Sequence, residues 1–164
     1  MMTELILFDF NRETDINEWR VVNDGVMGGL SEGSIRLNSD GHAVFSGSIS
    51  LKNNGGFSSV RHRYKTKEVS GYSKVMLRVK GDGKKYQFRI KSNRYDRHSY
   101  IGEFTTSGDW ETIEIDFSKM YPAFRGRTLD ISNYPGAQLE EIAFLIGNKK
   151  AEDFKLLIDS ISLR

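Results

Sequence analysis

Apolar and polar residues alternate along most of this chain with a period of two. Phe45, Ile49 and Leu51 fall on one side of the run from Ala43 to Leu51, and Val44, Ser46, Ser48 and Ser50 on the other. Val75, Leu77 and Val79 alternate with Met76, Arg78 and Lys80; Tyr86, Phe88 and Ile90 with Gln87, Arg89 and Lys91; Ile113, Ile115 and Phe117 with Thr112, Glu114 and Asp116. Successive side chains of a strand point to opposite faces, so each run reads as a strand with one buried and one solvated face. The runs Ile142–Ile146 and Phe154–Leu163 are more continuously apolar and are expected inside a sheet. Gly81-Asp82-Gly83 reads as a hairpin loop, and glycine breaks recur at Gly28-Gly29, Gly55-Gly56 and Ser107-Gly108-Asp109. Helix is expected only as a short turn from Thr14 to Trp19, capped by Thr14 or Asp15. Many short strands with regular turns predict an all-β fold, a two-sheet antiparallel β-sandwich.

Length changes this picture little. The 164 residues suit one domain, expected to span 1–164. The segment between Phe117 and Leu139 breaks the rhythm and holds both prolines, Pro122 and Pro135, with Tyr121, Phe124, Arg125, Arg127 and Tyr134. It reads either as a loop packed over one end of the sandwich by its own aromatics or as a binding loop.

Composition excludes several functions. Without cysteine there is no disulfide framework and no thiolate zinc site. A net charge of +2, from 24 basic and 22 acidic residues, leaves no nucleic-acid footprint. No run of apolar residues is long enough to span a membrane, and the first ten residues, Met1 to Phe10, lack the basic region of a signal peptide; the expected location is cytoplasmic. His42, His62 and His98 lack metal-ligand spacing, so no cofactor or metal is expected. A structural calcium between Asp9 and Asp159 stays open if the terminal strands pair.

Catalytic motifs lack their context. Gly29-Leu30-Ser31-Glu32-Gly33 matches the nucleophile pattern of esterases, but the next segment, Ser34-Ile35-Arg36-Leu37, alternates as a strand where that motif needs a helix. Gly81-Asp82-Gly83-Lys84-Lys85 lacks the spacing of a phosphate loop. The chain is therefore expected not to be an enzyme.

The pattern does expose a basic surface. If Val60, Val75, Leu77, Val79, Tyr86, Phe88 and Ile90 face the core, Arg61, Arg78 and Arg89 leave by the opposite faces, with Arg63, Lys80, Gln87 and Lys91. Such a face either grips a carboxylate, a phosphate or an acidic protein segment, or is a solvated face balanced by Glu114 and Asp116. The candidate contact residues are Arg61, Arg78, Arg89, Gln87, Tyr100, Tyr121 and Arg125. Tyr95, Tyr100, Tyr121 and Trp110 are candidate platforms for a sugar.

The stretch Trp19-Arg20-Val21-Val22-Asn23-Asp24-Gly25-Val26-Met27-Gly28-Gly29-Leu30-Ser31 resembles the complex I intermediate-associated protein 30 family. So do Phe45–Leu51, Gly55–Arg61, Gly81-Asp82-Gly83, Trp110 and Phe124-Arg125-Gly126-Arg127, so that the resemblance covers nearly the whole chain. It implies a galactose-binding-like jelly roll akin to some carbohydrate-binding modules. It also implies a non-catalytic role, in mitochondrial members, as an assembly factor or chaperone for the respiratory NADH:ubiquinone oxidoreductase. With no targeting segment ahead of its first strand, the chain reads as a prokaryotic or stand-alone member. The expected partner is a protein, such as a respiratory-complex subunit, docking on the arginine face and the Tyr121–Tyr134 segment; the alternative is a carbohydrate-binding module. Apart from the resemblance, Asn23-Asp24-Gly25, Gly28-Gly29 and Gly55-Gly56 suit turns needing positive φ or close backbone approach.

Overall fold

A computed structural model describes residues 4–164, with the side chains of Val26, Met27 and Asn54 outside the description. The reading of Met1, Met2 and Thr3 lies outside the described residues. The strands are β1 (Leu5–Asp9), β2 (Arg20–Asn23), β3 (Glu32–Leu37), β4 (Ala43–Ile49), β5 (Ser58–Glu68), β6 (Lys74–Lys80), β7 (Lys85–Lys91), β8 (Ser99–Thr105), β9 (Trp110–Asp116), β10 (Tyr121–Phe124), β11 (Arg127–Thr128), β12 (Gln138–Ile146) and β13 (Glu152–Leu163). They form two sheets, paired antiparallel throughout. One runs β3-β4-β13-β6-β9, with β1 also on β13; the other runs β11-β10-β8-β7-β12-β5-β2.

Alternation builds most of the core, although Leu51, expected on the inward side, lies past the end of β4 and is 45% exposed, while Val44 on the other side is buried. Val75, Leu77, Val79, Tyr86, Phe88 and Ile90 are fully buried between the sheets. The two most continuously apolar runs, β12 and β13, lie inside their sheets, β12 between β7 and β5 and β13 between β4 and β6. Gly102 lets the sheets approach: a Cβ there would stand 2.5 Å from Ile115 Cγ2 on the facing sheet. The turn near residue 16 is a short 3-10 helix, Ile16–Glu18, capped by the Asp15 carboxylate on the amide of Asn17.

Two expectations need correction. Gly81-Asp82-Gly83 is not a hairpin, because β6 and β7 belong to different sheets. The turn carries the chain across the sandwich, and Asp82 ties the crossing to both sides. It accepts the Tyr86 hydroxyl at 2.9 Å and the Lys155 amide on β13 at 2.8 Å. Nor is the segment 118–138 a plain loop. It contains β10 and β11, joined by a two-residue turn at Arg125 (φ 50°) and Gly126 (φ 78°), the positive pair that suits a tight hairpin. Its remainder supports the packed reading: Tyr134 is buried against Phe117 and Tyr100 at ring-centroid distances of 4.9 and 5.2 Å, and its hydroxyl donates to the Gln138 carbonyl.

Candidate functional site

The seven-stranded sheet has a polar outer face whose register can be read strand by strand. Arg20 on β2 pairs with Arg61 on β5, Arg61 with Ala143 on β12, Ala143 with Arg89 on β7, Arg89 with Ile101 on β8, and Ile101 with Tyr121 on β10. One row across six strands thus holds three arginines and no acid. Its floor is small or apolar: Ala143 is 4% and Ile101 3% exposed, and Leu145 beside them 5%. Neighbouring strands stand ~4.8 Å apart, so Arg61 and Arg89 rise about 10 Å apart on either side of Ala143.

Neighbours hold these two arginines in place without neutralising them. Arg89 Nε and Nη2 both donate to Gln87 Oε1, at 2.9 and 2.7 Å. Arg61 Nε donates to Ser59 Oγ at 3.3 Å, and that hydroxyl donates in turn to the Val22 carbonyl at 2.7 Å. Among the described residues neither guanidinium has a carboxylate within ion-pair distance; the acid in the next row, Glu141, bonds Arg63 at 3.1 Å. Burial, followed by the like charge of Arg61, pushes Arg89 down to about 10. Arg61 is lowered chiefly by burial, with Glu141 opposing and Arg20 and Arg63 adding to the effect. Both remain cations near neutrality. The face therefore carries half-buried, mutually repelling positive charge on a low floor, an arrangement complementary to an anion. At the edge of the row Tyr121 donates to Glu103 at 2.5 Å, and Glu103 also pairs with Lys85.

The remaining sequence candidates scatter. Arg61, Arg89, Gln87 and Tyr121 share the face. Arg78 does not, because β6 lies in the other sheet; its guanidinium sits 6.0 Å from the Trp110 ring and bonds Thr112. Tyr100 pairs with the core-facing Ile90 and is buried against Tyr134 and His98. Arg125 occupies the tip of the β10–β11 turn, over the Phe124 ring at 5.3 Å and about 13 Å along the strand from Tyr121. Of the platform candidates, Tyr95 is 87% exposed in the β7–β8 connection, and Trp110 on β9, outside the arginine-bearing sheet, packs against His42 in the β3–β4 connection. Arg20, Ala143, Ile101 and Glu141 join the row or border it without being singled out by the sequence. For Ala143 and Glu141 the run around β12 is too apolar to show its outward phase; for Tyr100, the alternation with Phe104 was a usable signal for the core.

A second cluster explains the glycine-rich stretch. Asp24, 1% exposed, accepts from the Ser31 amide (2.9 Å), the Ser31 hydroxyl (2.5 Å), the Gly56 amide (2.6 Å) and the Phe57 amide (3.3 Å). Burial raises its pKa, but the Ser31 hydroxyl and the three amides together hold the carboxyl below its ordinary value. A Cβ on Gly29 would stand 2.3 Å from Asp24 Cγ, and one on Gly55 2.5 Å from Asp24 Oδ2. Ser31 also accepts the Ser50 amide at 2.9 Å and starts a strand rather than a helix, so it anchors a turn and is no exposed nucleophile. Among the described residues no group of three or more His, Asp or Glu side chains is arranged to hold a metal ion, and His42 approaches Asp159 at 3.4 Å.

In architecture the chain is similar to a family 11 carbohydrate-binding module of a cellulosomal cellulase from Clostridium thermocellum, at 19% identity and a TM-score of 0.71 over 99% of this chain and 95% of that one. The same kind of module from that organism, in complex with a β-1,3-1,4-mixed-linked tetrasaccharide, superposes with a TM-score of 0.66 at 20% identity over 98% and 94% of the two chains. In sequence the chain is 24% identical to the mitochondrial complex I intermediate-associated protein 30 of Drosophila melanogaster and 24% identical to that of Mus musculus, in each case over 96% of its own length. It spans 62% and 55% of those two proteins. The family model for complex I intermediate-associated protein 30 matches residues 8–158, a span that includes both the Asp24 cluster and the arginine row, and the chain belongs to that family.

Proposed function

We propose that this chain is a non-catalytic binding module that takes part in assembling a respiratory oxidoreductase, and that it docks a protein partner through the outer face of its seven-stranded sheet. The observation that carries the reading is the row Arg20, Arg61, Ala143, Arg89, in which two half-buried guanidiniums lack acid partners among the described residues. Holding unpaired cations at partial burial costs folding energy, and a partner that supplies the missing anion returns it. Family membership supplies the assembly context. A sugar-binding reading draws on the fold of the structural relatives, but the aromatic in the arginine row is Tyr121, whose hydroxyl is already engaged by Glu103. No helix among the described residues is long and apolar enough to cross a membrane.

The test is cross-linked affinity capture from the native host, comparing the wild type with Arg61→Ala/Arg89→Ala and with Arg78→Ala on the other sheet. The expected result is capture of respiratory-complex subunits that the double variant loses and Arg78→Ala keeps. Retention of every partner by the double variant would sink the docking face.

A further inference from the structure

The chemistry of the partner can be named from the same row, and this step rests on the docking reading above. We propose that Arg61 and Arg89 form a two-sided clamp for a carboxylate, and that its occupant is an acidic side chain on an extended segment of a protein partner.

Four features point to that occupant. First, Ala143 pairs in register with both arginines, so Arg61 and Arg89 flank one small, buried residue and rise from strands two apart on the same face. Second, the free geometry is directional. Gln87 holds the Nε and Nη2 edge of Arg89, leaving Nη1 for a ligand; Ser59 holds Nε of Arg61, leaving both its terminal nitrogens. Planar guanidinium edges match the planar carboxylate. Third, the acid in the next row does not supply the missing partner: Glu141 is 3% exposed and bonded by Arg63, which leaves Arg61 and Arg89 without a carboxylate of their own among the described residues. Fourth, Leu145 and Ile101 beside the row are 5% and 3% exposed, so the accessible surface there is formed by the polar side chains around them and suits a charged segment better than an apolar one. The repulsion between Arg61 and Arg89 adds to the drive, since one bridging carboxylate relieves it.

The probe is a fluorescent, end-blocked hexaglutamate peptide, with hexaglutamine as its uncharged counterpart, titrated against the whole chain at low ionic strength. Binding of hexaglutamate alone is expected, weakened about tenfold or more by Arg61→Gln and by Arg89→Gln, the loss expected for a charged hydrogen-bonding partner. Arg78→Gln should bind as the wild type does. Because a variant can fail for reasons of folding, the same titration is followed in the wild type through the side-chain Nε–H resonances of Arg61 and Arg89, which should move together while that of Arg78 stays. Absence of hexaglutamate binding, equal weakening by Arg78→Gln, unmoved Arg61 and Arg89 resonances, or tighter binding of inorganic phosphate or glucuronate than of the peptide would each overturn the clamp. If hexaglutamate fails while partner capture still depends on Arg61 and Arg89, the acidic-segment assignment falls and the docking face stands. If hexaglutamate binds as expected while capture ignores both arginines, the clamp stands and the assembly reading falls.

Discussion

Asp24 Oδ2 accepts the amide hydrogen of Gly56 at 2.6 Å across 32 residues of sequence. The same carboxylate takes the amide and hydroxyl of Ser31 and the amide of Phe57, so one buried side chain fastens three stretches of backbone at one end of the sandwich. A charge with four donors can be buried because its lost hydration is replaced in full.

Replacing that carboxylate should be costly. Asp24→Asn keeps the volume but turns one acceptor oxygen into a donor facing amide hydrogens, and a loss of about 2–4 kcal/mol is expected from the unsatisfied donors left behind. Asp24→Ala should lose at least as much. Urea unfolding midpoints check both, and an unchanged slope would show that the loss lies in the folded state.

The two close-approach glycines should couple to Asp24. Gly55→Ala places a methyl against Asp24 Oδ2, and Gly29→Ala one against Cγ, with an expected cost of about 1–3 kcal/mol each. In an Asp24→Ala background the carboxylate atoms in the way are gone and Gly29 Cα at 3.0 Å remains, so the added cost of Gly55→Ala should fall below half without vanishing. Equal costs in the two backgrounds would place the strain elsewhere, and a double-mutant cycle reads the difference directly.

Acid should loosen this corner in a predictable direction. Asp24 titrates lower in the folded chain than in the unfolded one, where a value near ~3.9 applies. Its contribution is therefore complete above that unfolded value and disappears as pH falls through the lowered folded value. Glu103 and Glu140 are lowered as well, so the Asp24 part is isolated by difference. The stability gap between wild type and Asp24→Asn should stay level from neutrality down to about pH 4 and narrow below it. A gap that narrows above pH 5 would contradict the lowered carboxyl.

The arginine row should behave as a site held at the expense of stability. Arg89→Met removes a half-buried cation that repels Arg61 and has no acid partner among the described residues. It should leave stability unchanged or raise it by about 1 kcal/mol at low salt. Added sodium chloride should stabilise the wild type more than Arg89→Met, because salt screens a repulsion that the variant lacks. Thermal melts across a salt series check both, and a strongly destabilised Arg89→Met would assign Arg89 to the architecture.

Alternation along the chain identifies β4, β6, β7 and β9 and the inward faces of the last three, and continuous apolarity places β12 and β13 inside their sheets, whereas β10 and β11 read as loop. Side-chain direction in a strand is a local property, and burial rewards one phase everywhere. The same logic selected Arg61 and Arg89 as outward-facing. It could not separate them from Arg78, whose local pattern is the same, because sheet membership depends on where the chain crosses the sandwich. Gly81-Asp82-Gly83 looks like a hairpin until Asp82 is seen bonding Tyr86 on one sheet and Lys155 on the other. Likewise the residues from Asn23 to Ser31 announced tight turns, while the partners of Asp24 at Gly56 and Phe57 came from a distant segment that only the folded chain brings near. What the sequence determined alone was the strand character of most of the chain, most of the core and membership of a sandwich class. The tertiary structure decided the row of Arg20, Arg61, Ala143 and Arg89, because strand order and register are set by the packing of the whole chain and leave no mark within any one strand.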